Sequence, residues 1–232
     1  MSEKIRHLLK NSGLPGPRGN LELLHSFAAN ASEEEANECL TYYNDDLRNS
    51  PEEFVVMCGI VARCVLRRDD VAEAVASVRG FAVHSSWRIR EAVAIGIQEI
   101  AGGRMDEVID SLRPWAKGNA LEKRAVVAAL CEPKLLKDAS VAADVLRLLG
   151  AITMELSRAD RLSDGQVALR KALGYGWSVA VAASPAAGMA AFEAIAGEAG
   201  KHIQWIVREN LKKSRLVRMD GAWAERMRAE AR

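Results

Sequence analysis

Two tryptophan–glutamate pairs one helical turn apart, Trp87 with Glu91 and Trp205 with Glu209, are the residues best suited to chemistry. An indole face stacks on a nucleobase or on a cation, and a carboxylate one turn away can hold positive charge beside it. Around these pairs runs a series of basic residues: Arg88, Arg90, Lys123, Arg124, Arg170, Lys171, Arg208, Lys212 and Lys213. Cations spaced along helix starts suit a polyanion, so Arg88, Lys123, Arg170, Lys171, Lys212 and Lys213 are the candidate phosphate contacts. A structural role stands beside each of these. Glu91 and Glu209 adjoin Arg90 and Arg208, which suits ion pairs between repeats. The cations also suit a solvated face, and the five tryptophans suit buried packing.

Other chemistry finds little footing. Cys39, Cys58, Cys64 and Cys131 lie in apolar helical patterns without CxxC pairs, and are expected to be buried thiols rather than metal ligands or disulfides. His7, His25, His84 and His202 show no ligand spacing, so no metal and no cofactor is expected. The glycine-rich "GLPGPRGN" at 13–20 lacks the GK[ST] ending of a phosphate loop and reads as a turn into a helix capped by Asn20.

Positioning these residues requires helices. Ala, Leu, Glu and Arg dominate and alternating β-branched runs are missing, which predicts an all-α fold. Ser32 with Glu35, Ser50 with Glu53 and Ser163 with Gln166 have capping-box spacing, and Pro51 and Pro185 suit first helical positions. A helix is expected near 19–30, then pairs at 32–47 and 51–66, 68–83 and 86–101, 104–117 and 119–132, 138–157 and 165–182, and 185–199 and 202–214. "WRIREAV" from Trp87 returns as "WIVRENL" from Trp205, with weaker copies "LEKRAVV" and "ALRKALG" between. Their matched basic residues, Arg90, Arg124, Arg170 and Arg208, are spaced 34, 46 and 38 residues apart, always on the second helix of a pair. A hairpin of roughly 40 residues is therefore the repeating unit.

That period and arrangement resemble HEAT repeats, which implies a right-handed α-solenoid of about five hairpins whose second helices line a concave groove. The resemblance covers about 32–214, with 1–31 as an N-terminal segment and capping helix and 215–232 as a basic tail or helix. More narrowly, "HSSWRIREAVA", "LRKALGYGWSVAVAASP" and "WIVRENLKKSRL" resemble segments of HEAT-like proteins related to the alkylpurine DNA glycosylases of DNA alkylation repair. That resemblance implies duplex DNA in the groove and aromatics with a carboxylate beside a cationic lesion. One branch of the class places an aspartate four residues after a tryptophan, whereas this chain has Glu91 and Glu209 there. The expectation is accordingly a non-catalytic module whose basic groove takes DNA. The alternatives are a glycosylase, with Trp87, Glu91, Trp205 and Glu209 as catalytic candidates, and a protein-interaction scaffold.

Composition agrees with a packed, water-surrounded fold. With 49% apolar residues in 232, a sizeable core is available, and no run is long enough for a spanning helix. No apolar leader with a cleavage site is visible at the N-terminus, so a cytoplasmic protein without membrane contact is expected. Net charge is only +1, yet residues 201–232 carry nine Lys/Arg against four Asp/Glu, a local excess that a phosphate-bearing partner would favour.

Overall fold

The computed structural model describes residues 1–157 and 159–231, which contain fourteen α-helices, one 3-10 turn and no strand. No helix among the described residues is long and apolar enough to cross a membrane. The chain divides into two compact units, Met1–Ser111 and Leu112–Arg232.

The first unit holds α1 (Glu3–Lys10), α2 (Leu21–Asn30), α3 (Glu33–Leu40), α4 (Pro51–Leu66), α5 (Val71–Val78), the 3-10 turn Arg79–Val83 and α6 (Trp87–Ile100). Its centre is α4, against which α1, α2, α3, α5 and α6 all pack. The sequence "FVVMCGIVARCVL" explains this placement: an element apolar on every side must be covered on every side. The division between units falls within α7 (Met105–Ala116), which carries Pro114 in its last turn.

In the second unit lie α8 (Ala120–Leu130), α9 (Ala139–Met154), α10 (Asp164–Ala183), α11 (Pro185–Ala196), α12 (Lys201–Leu211), α13 (Ser214–Met219) and α14 (Gly221–Glu230). Here α10 is the centre, with α8 and α12 packed beside it and α9, α11 and α13 also against it. The second helices of successive pairs thus contact one another, as do the first helices α9 and α11. An aromatic chain closes the core. Trp177 meets Phe192 edge-on at 5.9 Å, Phe192 meets Trp223 at 5.8 Å, and the Trp177 indole donates to Thr153 Oγ1 at 3.0 Å.

Local signals account for the helix starts. The boxes at Ser32–Glu35 and Ser163–Gln166 both close, and Asn20 accepts from Leu23 N as its position predicts. Another box closes at Asn119–Glu122. At Ser50 only half forms: its hydroxyl accepts from Glu53 N, while the Glu53 carboxylate turns instead to Asn49 N at 2.8 Å and into the core. Helix ends differ more from expectation. The helix placed at 32–47 stops at Leu40, because Asn44 turns its side chain onto Asp46 N and Asn49 takes a positive φ of 48°. The helix placed at 68–83 gives way to a 3-10 turn from Arg79. Near the N-terminus, α1 was not foreseen; Ser2 caps it through Ile5 N.

Candidate nucleic-acid interface

Each tryptophan of the two Trp–Glu pairs carries an arginine on its ring. Trp87, 53% exposed, begins α6, and the Arg88 guanidinium lies 4.7 Å from its ring centroid. Trp205, half-buried on α12, has the Arg170 guanidinium of α10 at 4.4 Å. Such stacks hold an indole flat against the guanidinium. In the second case the close approach depends on Gly174, where a Cβ would fall 2.9 Å from the Trp205 ring. Arg170 also donates to His202 Nδ1 at 3.1 Å, so its head group is already engaged within the unit.

The basic series divides by burial. Arg88 is buried: it lies 3.5 Å from the Glu53 carboxylate and donates to the Gly16 carbonyl at 2.7 Å. Lys123 is buried as well, paired with Glu155 beyond the end of α9. Neither takes the solvent-facing place expected from its position on a second helix. The reason is a carboxylate that distant sequence delivers beside each one. Lys171 and Lys212 are exposed and Lys213 half-buried, with Lys212 paired to Glu209.

Arg208 is exposed on α12, and its neighbour Glu209 pairs with Lys212. Arg90 donates to the backbone carbonyls of His84 and Ser85. Asn210 also joins α12 to α10. Fully buried, its Oδ1 accepts from Ser178 N at 2.8 Å and its Nδ2 donates to Leu173 O at 2.9 Å and to Ile206 O at 2.8 Å. A lone amide in an otherwise apolar helical stripe was the signal for it.

Two residues outside the expected set complete an exposed cluster on the second unit. Tyr175, one turn beyond Lys171 on α10 and 42% exposed, is covered by Arg215 of α13 at 4.7 Å from the ring centroid, and its hydroxyl accepts from Arg215 at 2.9 Å. Residues four apart share a helix face. Lys171 therefore stands with Tyr175 on α10, and Arg208 with Lys212 on the adjoining α12. The result is a set of cations and one flat aromatic on adjoining helices, with Glu209 paired to Lys212 among them.

The four cysteines are buried and free, as expected from their setting. Burial pushes the thiols of Cys39, Cys64 and Cys131 up to about 12 and that of Cys58 well above its usual value, which leaves them protonated and unsuited to metal or nucleophilic work. Among the described residues no group of His, Cys, Asp and Glu gathers as a metal would require. Comparison of the chain with protein-family models, curated proteins and solved structures finds no match to any of them.

Proposed function

We propose that this chain is a non-catalytic helical-repeat binding module of the HEAT type, and that the second-helix face of its C-terminal unit takes duplex DNA by the phosphates. The observation that carries this reading is the Arg215–Tyr175 stack, which fixes a cation and a flat aromatic at the surface beside Lys171. Arg208, Lys212 and Lys213 extend the same charge along α12 and into the turn to α13. Lysine and arginine on phosphates give affinity without sequence choice, and an exposed ring adds stacking wherever a base is accessible. Side-by-side packing of α8, α10 and α12, with α9 against α11, supports the repeat reading of this unit.

Fluorescence anisotropy with a labelled duplex tests it across a salt series. If four or five of these cations meet phosphates, log affinity falls with log salt at a slope of about −4, and Lys171→Glu with Lys212→Glu flattens it by about two. Lys10→Gln, which alters an exposed cation of the other unit, leaves the slope unchanged. Absence of binding at about 50 mM salt removes the DNA reading and leaves a protein-interaction scaffold in its place.

A further inference from the structure

The turn that leads into α6 holds a histidine whose hydrogen bonds admit one protonation state. His84 is 3% exposed, and both of its ring nitrogens face backbone groups. Nδ1 lies 2.9 Å from Ser86 N, which can only donate, so Nδ1 must accept. Nε2 lies 3.0 Å from the Asn44 carbonyl oxygen, which can only accept, so Nε2 carries the hydrogen. A neutral imidazole meets both demands. An imidazolium, a donor at both nitrogens, fails the first. The bond to Asn44 crosses 40 residues and fastens the irregular segment after α3 to the start of α6. Beside it Ser85 Oγ donates to the Asp45 carbonyl at 3.1 Å, and the Tyr43 ring packs against Phe81 at 5.1 Å and His84 at 5.3 Å. Ser86 in turn caps α6 through Arg88 N and donates to the Glu53 carboxylate.

We infer that His84 is an acid-sensitive latch: closed while its ring is neutral, it releases residues 41–49 from the start of α6 when the ring takes a second proton. Charge on the ring sets Nδ1–H against Ser86 N–H and leaves two buried donors without an acceptor. The neighbouring elements add positive charge. Arg88 and Arg90 lie on α6, and Arg90 donates to the His84 carbonyl at 2.5 Å. Arg63 of α4 lies over the Phe81 ring at 6.0 Å. Of the acids there, Glu53 of α4 already takes Ser86 Oγ, Asn49 N and Arg88, and Asp45 is exposed to water. Tyr43 stays neutral while histidine titrates, because burial holds its phenol above the usual value. Opening resolves the conflict, since an imidazole in water takes a proton without losing a partner. Such an imidazole titrates near about 6.5, so the closed latch keeps its full stability above that pH, and the open fraction grows about tenfold for each unit below it.

Amide hydrogen exchange of the full chain, corrected for the intrinsic rate at each pH, reads the latch at Ser86 N–H and in residues 41–49. Protection there should fall about tenfold between about pH 7.5 and 5.5, while the middle of α4 keeps its own. His84→Gln should hold protection level across this range, since a side-chain amide can accept from Ser86 N and donate to Asn44 without titrating. His25→Gln, which alters an exposed histidine of the same unit, should respond as the wild type does. Nitrogen NMR of the wild-type ring supplies a check that needs no variant. At pH 7.5 His84 should be the Nε2–H tautomer, and its protonation should coincide with the loss of protection at Ser86. Any of four results overturns the proposal: an Nδ1–H or charged ring at pH 7.5, protection that stays level to pH 5.5, protonation without opening, or a fall that persists in His84→Gln.

Discussion

Arg88 and Glu53 form an ion pair at 3.5 Å in which the carboxylate has no exposed surface. Glu53 also accepts from the Ser86 hydroxyl and from Asn49 N, while Arg88 reaches on to the Gly16 carbonyl. One carboxylate therefore ties together the start of α4, the start of α6 and, through Arg88, the glycine-rich turn before α2. Removing one partner of a buried pair strands the other's charge. Arg88→Ala is expected to destabilise the protein by about 3–5 kcal/mol in urea unfolding, and a loss below about 1 kcal/mol would return Arg88 to a surface role.

Asn210 makes a second test, this time of a neutral contact. Asn210→Ala removes its hydrogen bonds to Ser178 and Leu173 and leaves buried groups on α10 without that partner. A cost of about 1–3 kcal/mol is expected, against less than about 0.5 kcal/mol for Arg208→Ala at the exposed position two residues earlier on the same helix. Thermal denaturation of the two variants side by side decides the order. If Arg208→Ala proves the more damaging, the role assigned to Asn210 is wrong.

Gly174 and Gly176 should resist alanine despite the helix preference for it. At Gly174 a new Cβ meets the Trp205 ring at 2.9 Å, and at Gly176 it meets Val127 Cγ1 at 2.8 Å and Cys131 Sγ at 2.9 Å. The gain of up to about 1 kcal/mol in helix propensity is opposed by overpacking of about 1–3 kcal/mol. Net destabilisation is expected for both, together with a changed tryptophan fluorescence in Gly174→Ala. A more stable Gly176→Ala would mean that α8 can move away from α10 at little cost.

The thiols give a prediction about pH. Burial holds Cys39, Cys64 and Cys131 at about 12, above their ordinary value of 9.0, so the folded state binds these protons more tightly than the unfolded chain. Their contribution to stability is complete below pH 9 and is lost as pH rises from 9 toward 12. Unfolding midpoints should therefore decline over that window. At pH 8 a thiol reagent should label the native protein slowly and the urea-unfolded chain at all four cysteines; fast native labelling would contradict the burial.

Much of the architecture was legible because its causes lie close together in the chain. Ser32, Ser163 and Asn20 cap helices by reaching N–H groups within three residues, and an apolar stripe marks the covered side of a helix whatever covers it. The same locality identified the four cysteines as core residues. Helix ends were less legible where asparagine turns compete with helix, as after Leu40.

By itself, then, the sequence determined an all-α chain and where most of its helices start. Tertiary structure decided which of their cations face water. Lys123 and Lys171 both read as basic residues on second helices, yet Lys123 meets Glu155 across 32 residues and is buried, while Lys171 stays exposed. Likewise Arg215 becomes part of the candidate interface only because packing brings Tyr175, 40 residues away, beneath it. A capping hydrogen bond is fixed by a few backbone angles, but the partner of a long charged side chain is whatever the fold delivers within its reach.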